Sequence, residues 1–272
     1  MVINVLISTI DQGIYRVKDV ILPFRNDVKY IISHQFTGTE KTPIPQELVR
    51  KDVVISQIAG RGVTKSRNIA IENATGDICI IADDDVSYTF KYIDNIIEFY
   101  KDNRVDIACF KINTGKNDLE YKNYPKGVVR LGKEINYQPS SIEITFLLNS
   151  IKKHNLTFDE RFGLGSWLNG GGERFFIEDA LDKNMDVYFV PKYIVNHPYE
   201  STIKNFQKYH KRRNIQTGAI DARINGFLSL IKPFIAVIRY YRDLVEHNKN
   251  PFGYLRERIS GALYILKTPL NK

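Results

Sequence analysis

Three adjacent carboxylates, Asp83, Asp84 and Asp85, follow the apolar run Ile78–Ala82. Side by side they repel one another, and a divalent cation removes that cost. Hard oxygen donors suit Mg2+ or Mn2+, and Mg2+ is often held by one or two carboxylates together with substrate phosphates. In extended backbone Asp83 and Asp85 point one way and Asp84 the other, so Asp83 and Asp85 are the expected metal ligands. The competing reading is an acidic turn ahead of a helix over Thr89–Tyr100, but a place at the end of a buried strand favours the metal. His197, in VNHPYEST, is the sharpest of the five histidines. It follows an apolar strand, and a neutral imidazole can complete a metal site or contact a diphosphate. A purely structural histidine is the alternative.

A second cluster lies at residues 60–68, GRGVTKSRN. Glycines let backbone approach a ligand, and a helix N-terminus offers free N–H groups to an anion. Arg61, Lys65 and Arg67 add charge, though each alone reads more readily as a solvated surface cation. The run is neither a Walker A loop nor G-x-G-x-x-G. Trp167 sits in the Gly-rich stretch 158–172, where it either stacks on a ligand or packs beneath the loop.

The elements that must position these residues alternate. Apolar runs at 2–8, 28–33, 52–58, 78–82 and 105–110 read as strands. A helix is expected after the first strand, to Leu22, and others over 64–73 and 92–100, with Thr64 as an N-cap. A strand over 142–148, a helix over 173–183 and two short strands at 187–190 and 193–195 follow, and from about Ser201 the pattern is helical. Such alternation predicts an α/β fold, a mostly parallel sheet with helices on both faces. Ligands bind at the carboxyl ends of its strands, where the acidic triplet lies.

Composition bounds the rest. The chain has 272 residues, 43% hydrophobic and 26% charged, which is ordinary for a folded protein and argues against disorder. The net charge of +8 is uneven: residues 200–272 hold 14 Lys/Arg against 5 Asp/Glu, and residues 1–199 hold 25 against 26. Cys79 and Cys109 lie in apolar runs and offer neither a disulfide framework nor metal-ligand spacing, which fits a reduced cytosol. No signal peptide or membrane span is expected. In the tail, Lys208, Lys211, Arg212 and Arg213 cluster, and 227–241 (FLSLIKPFIAVIRYY) mixes aromatic, aliphatic and basic residues. That mixture fits a helix lying on an anionic membrane surface, at the inner face of the plasma membrane. The alternatives are packing on the main domain or a homodimer. No DNA- or RNA-binding motif is present, so nucleic acid is not an expected partner.

Taken together, GRGVTKSRNIAIENATGDICIIADDDV resembles the first signature of the family-2 glycosyltransferases, in which an SRN or ARN element precedes A-x-G-D, an apolar strand and an Asp-x-Asp-type cluster. FDERFGLGS…NGGGERFFIEDAL, followed by YFVPKYIVNHPYEST, is similar to a bacterial subgroup acting in surface-polysaccharide assembly. The resemblance covers roughly residues 2–202. It implies a GT-A fold over 1–200, with 201–272 as a basic helical extension. It implies inverting transfer from a nucleotide-diphosphate sugar, UDP-linked, to a glycan or lipid-linked saccharide, with Mn2+ or Mg2+ held between the acidic cluster and the diphosphate. Thr9 and Asp11 match the positions that hold the nucleotide, although Asp11 also reads as a helix N-cap. Arg67 and Asn68 match the element beside the nucleotide, and Asp83 and Asp84 join Arg61 as donor-binding residues. Many members carry E-D-x-x-L/F with Asp as catalytic base, whereas here Glu173 stands at that position. The departure leaves Glu178 and Asp179 as further candidates, and a helix-terminal acid favoured by the dipole as the bland reading.

Two rival functions remain. A sugar nucleotidylyltransferase would also use metal and nucleotide, but it prefers a Gly-rich basic loop directly after the first strand, where this chain has STIDQGIYR. A non-catalytic nucleotide-binding scaffold would carry a decayed site, against which stand the intact triplet and Glu173.

Overall fold

The computed structural model describes residues 1–115, 119–134, 137–198, 209–268 and 270. They divide into two compact units, one of Met1–Phe158 with Gly172–Glu200, the other of Asp159–Gly171 with Ser201–Lys272. The segment Asp159–Gly171, expected within the first domain, thus clusters with the second unit.

The first unit is built on β1 (Ile3–Ile10), β2 (Val28–Phe36), β3 (Val53–Ala59), β4 (Ile78–Asp83), β5 (Ile107–Asn113), β6 (Val129–Arg130), β7 (Ile144–Leu147) and β8 (Val187–Asn196). They form one sheet in the order β3-β2-β1-β4-β7-β5-β8-β6. β1 pairs in parallel with β2 and β4, β2 with β3, and β5 with β8, while the short β7 runs antiparallel between β4 and β5. Its helices are α1 (Val63–Glu72), α2 (Phe90–Asp102), α3 (Leu148–Lys153) and α4 (Gly172–Asp182). Ile3, Val5 and Ile7 face one apolar layer, with Ile93, Ile96 and Tyr100 of α2. Leu6, Cys79 and Ile81 face the other, with Phe176, Ile177 and Ala180 of α4. Burial on both faces is why these strands read as unbroken apolar runs rather than alternating ones.

Three local expectations change. The helix expected after β1 is replaced by two 3-10 turns, Asp11–Tyr15 and Val17–Asp19. α1 starts one residue earlier than expected: Gly62, at φ 133°, occupies the cap position, and Thr64 lies buried inside the helix. The two short strands at 187–195 are one strand, irregular where its pairing with β5 jumps from Cys109–Phe189 to Lys111–Tyr193. Pro191, which has no N–H to donate, falls within that irregularity and so interrupts no ladder.

The second unit contains α5 (Lys211–Asn225), a 3-10 turn (Gly226–Leu230), α6 (Lys232–Glu246) and α7 (Pro251–Lys267). Asn250 caps α7 by accepting from the N–H groups of Phe252 and Gly253, and Pro251 fits the first turn. Asp159 accepts from Arg161 (2.8 and 2.6 Å) and from Arg223 (3.2 Å). Arg161 in turn donates to the carbonyl of Thr268 at the end of α7 (2.7 Å). Among the described residues no helix is long and apolar enough to cross a membrane. Lys208 of the basic cluster lies outside the described residues.

Candidate functional site

β1 and β4 run side by side with Ser8 opposite Asp83, so their carboxyl ends bring Thr9 beside the triplet. The three carboxylates then take three different partners. Asp84 turns inward, is 9% exposed, and accepts from the Thr9 hydroxyl and from Arg16, both at 2.5 Å. Burial pushes its pKa up, against the Thr9 and Arg16 bonds. Asp83 accepts from the buried Arg67 guanidinium at 3.0 Å, which also lies over the Phe158 ring, 5.6 Å from its centroid. The Nε–H of Arg67 is buried without a partner among the described residues. Asp85 is the exposed member, and His197 faces it, with Nε2 3.8 Å from its Oδ1.

The approach of Asp85 and His197, 112 positions apart, has a local cause. Ser87, two residues past the triplet, exchanges backbone bonds with Asn196 at the end of β8 (3.1 and 2.9 Å), and His197 N–H donates to the Asn113 carbonyl at 3.0 Å. His197 Nδ1 lies 2.7 Å from the Pro198 carbonyl. A carbonyl only accepts, so Nδ1 carries the proton and Nε2 of the neutral ring presents its lone pair. An imidazole lone pair and a carboxylate oxygen thus stand near each other, an arrangement that wants a proton or a cation. Accordingly, each holds the charged form of the other: Asp85 lies below its usual range and His197 above. Tyr121 packs edge-on against the imidazole, 5.9 Å between centroids. Arg16, Asp85, Ser87, Thr114 and His197 line a cleft of about 450 Å3.

Asp11, Asn68, Arg61, Glu173 and Trp167 are not among the residues that line this cleft. Asp11 has φ +47° and ties the end of β1 to the residue after β2. Its carboxylate accepts from the N–H and hydroxyl of Thr37 (both 2.8 Å), which hold its pKa below the usual range. No side chain caps the turn it begins. Asn68 exchanges bonds with the Phe158 backbone (2.9 and 2.8 Å). Arg61 is exposed ahead of α1. Glu173 is half-buried in the first turn of α4, and Glu178, one turn on, pairs with Arg174 at 2.7 Å. Trp167 belongs to the second unit, about half exposed, its ring 4.5 Å from that of Tyr264.

Arg16 and the Ser87–Asn196 bridge were not legible in the sequence. Arg16 lies in a polar turn that carries no motif, and the bridge is a backbone feature. Among the described residues no group of three or more His, Cys, Asp or Glu is gathered as a metal site. Asp85 and His197 nevertheless fit a divalent ion as two protein donors, oxygen and imidazole, in the mode that leaves the remaining positions to substrate phosphates.

A model described as Glycosyl transferase family 2 matches residues 45–165, the stretch that carries α1, β4 and the triplet. No curated protein matches the chain. Among solved structures it is similar to S. aureus TarS 1–349, at 15% identity and TM-score 0.57 over 83% of this chain. It is similar also to the same protein in complex with UDP-GlcNAc, at 14% identity and TM-score 0.57 over 83% of this chain and 67% of that one. A longer TarS structure matches at 15% identity and TM-score 0.56, again over 83% of this chain. This chain spans 66% of the first of these and 40% of the longer one, less than two thirds of either. The fold is shared, and the first of the two signatures seen in the sequence, residues 60–86, lies within the matched segment, while most of the second, from Phe158 on, lies beyond it.

Proposed function

Taking residues 45–165 as a family-2 glycosyltransferase segment on a GT-A fold, we propose that the chain transfers a sugar from a nucleotide-diphosphate donor, with inversion, to a glycan or lipid-linked saccharide of a surface polysaccharide. The observation that carries this reading is the approach of Asp85 and His197 in the cleft they both line, at the carboxyl ends of parallel strands, with the Arg67–Asp83 pair alongside. S. aureus TarS has been crystallised with UDP-GlcNAc and with UDP, which supports a UDP-linked donor for this chain too. The two free cysteines, Cys79 and Cys109, fit work in the reduced cytoplasm.

The residues divide the work as follows. Asp85 and His197 would hold Mn2+ or Mg2+, with Asp83 beside them. Such an ion supplies positive charge to the departing diphosphate. Arg16, Arg61 and Arg67 add cationic side chains for the same developing charge. Thr9 and Asp11 border the nucleotide, and Asp84 orients Arg16 rather than meeting the metal. Glu173 takes the proton from the acceptor hydroxyl as it attacks the anomeric carbon. A single displacement needs one such carboxylate, unlike hydrolysis by a flanking pair. Trp167 offers an aromatic face to the acceptor sugar.

A panel of nucleotide sugars, read by nucleotide release with Mn2+ present, tests this. Turnover is expected with at least one UDP sugar, to vanish with chelator and return with Mn2+. Asp85→Ala and Glu173→Gln are each expected to cost on the order of a hundredfold or more in kcat. Full activity in both variants would overturn the site.

A further inference from the structure

The outward face of α6 is apolar. Phe234, Ile238, Tyr241 and Val245 recur at three- and four-residue steps with Ile235 beside them, and all are exposed, Ile238 to 80%. Phe227, Leu228 and Ile231 carry the apolar surface back through the preceding 3-10 turn, Phe227 being 77% exposed. The opposite face is already used: Pro233, Ala236 and Leu244 are buried, Ala236 and Leu244 in a core with Tyr254 of α7. A helix that has satisfied its inward face and still shows a second apolar face to water is unusual for a folded domain.

Charge decides what covers that face. Arg242 lies within it, one turn from Ile238, and Arg239 lies at its margin one turn from Ile235, both exposed. The one carboxylate on this side of α6 is Glu246, at its C-terminal end, since Asp243 is engaged by Tyr209. Residues 200–272 as a whole hold 14 Lys/Arg against 5 Asp/Glu. In an isologous dimer the same surface meets itself, so the arginines of two copies would be brought together and desolvated with too few acids to pair them. At an anionic bilayer the aliphatic stems of the arginines lie along the acyl chains while their guanidinium groups reach the lipid phosphates.

We propose that Phe227–Val245, through the outward face of α6 and the turn before it, is a docking surface for an anionic lipid bilayer, with the apolar side chains inserted at the headgroup boundary and Arg239 and Arg242 paired with lipid phosphates. The attachment lies in the interface and crosses nothing, and it does not depend on the transfer reaction proposed above.

Co-sedimentation of the full chain with vesicles tests it. Wild type is expected to pellet with phosphatidylglycerol/phosphatidylcholine vesicles, much less with phosphatidylcholine alone, and less again at high salt. Ile235→Glu/Ile238→Glu is expected to weaken pelleting by about tenfold or more, and Arg239→Gln/Arg242→Gln to remove the preference for the anionic vesicles. All four positions are exposed, and circular dichroism checks that the variants keep their helices. Two results would overturn the proposal. One is wild type that stays in the supernatant with anionic vesicles while light scattering shows a dimer that Ile238→Glu dissociates, which would make the face a self-interface. The other is Ile235→Glu/Ile238→Glu that pellets as well as wild type.

Discussion

Gly13 leaves no room for a methyl group. A Cβ at this position runs into the Asp84 carboxylate and the Thr9 hydroxyl, which are already bonded to each other. Both side chains are short and buried, so neither can swing away without breaking the bond that fixes Arg16 at the cleft. Gly13→Ala is therefore expected to destabilise the fold by about 1–3 kcal/mol, read as a lower midpoint in thermal or urea unfolding. It should also raise KM for the donor, because Arg16 loses its anchor. An unchanged midpoint and KM would show that the Thr9–Asp84–Arg16 chain does not order the turn. The same chain shows what could be read in advance. That three carboxylates end a buried strand was visible in the sequence, as was their suitability for a cation. The opposite direction of Asp84 and a place for His197 at a metal site were expectations too, but that Asp84 clamps Thr9 and Arg16 while Asp83 takes Arg67 was not legible, because those partners come from β1, the turn after it and α1, and only pairing across the sheet brings them together.

At the scale of elements, α5 and α7 cross at two glycines. A Cβ on Gly218 would strike the backbone of Arg258, and one on Gly261 the backbone of Ile215 and Ala219. Glycine in a helix interior costs about 1 kcal/mol relative to alanine, so a close helix contact is a physical reason to keep it. Backbone cannot give way as a side-chain tip can, so the helices must part. Gly261→Ala is expected to destabilise by about 1–3 kcal/mol despite its better helix propensity. Gly253, on the same helix, is the internal control: its Cβ would meet only Asn250, at 3.7 Å. Gly253→Ala should be neutral or slightly stabilising. Equal effects of the two substitutions in chemical denaturation would rule out the close crossing. The strands and α2 were legible because burial on one or two faces writes itself as an apolar run or a 3.6-residue period. The turns after β1 were not: Asp11 there adopts φ +47° to bond Thr37, a contact with the residue after β2 that no local pattern announces.

Across the whole molecule the uneven charge separates two kinds of electrostatics. Residues 1–199 are nearly neutral, with cations set against particular carboxylates, while the excess lies in the helical remainder. Stability against acid should therefore follow individual carboxylates of the first unit rather than the net charge. Asp27 lies below the usual carboxylate range because Arg25 donates to both its oxygens, at 2.6 and 2.9 Å. Asp11 is lowered by Thr37. A group whose folded pKa is depressed contributes stability that is present above its unfolded pKa and lost as pH falls through the folded one. Glu143 carries the opposite sign. It is buried beneath Lys122, Tyr124 and the Ser140 N–H, and burial raises its pKa. The folded state then keeps a proton that the unfolded chain has released, so its contribution falls as pH rises from the unfolded value through the folded one. The two slopes occupy different windows, the aspartates below about pH 4 and Glu143 above it. The melting temperature of wild type is thus expected to fall as pH drops below about 4, and Asp27→Asn, which has no proton to take up, to fall less steeply there while matching the wild-type slope above pH 5. Parallel curves through the acid limb would mean that Arg25 does not hold the Asp27 carboxylate in solution, and the loss of stability would then have to be assigned to Asp11 and Asp85, the other lowered carboxylates.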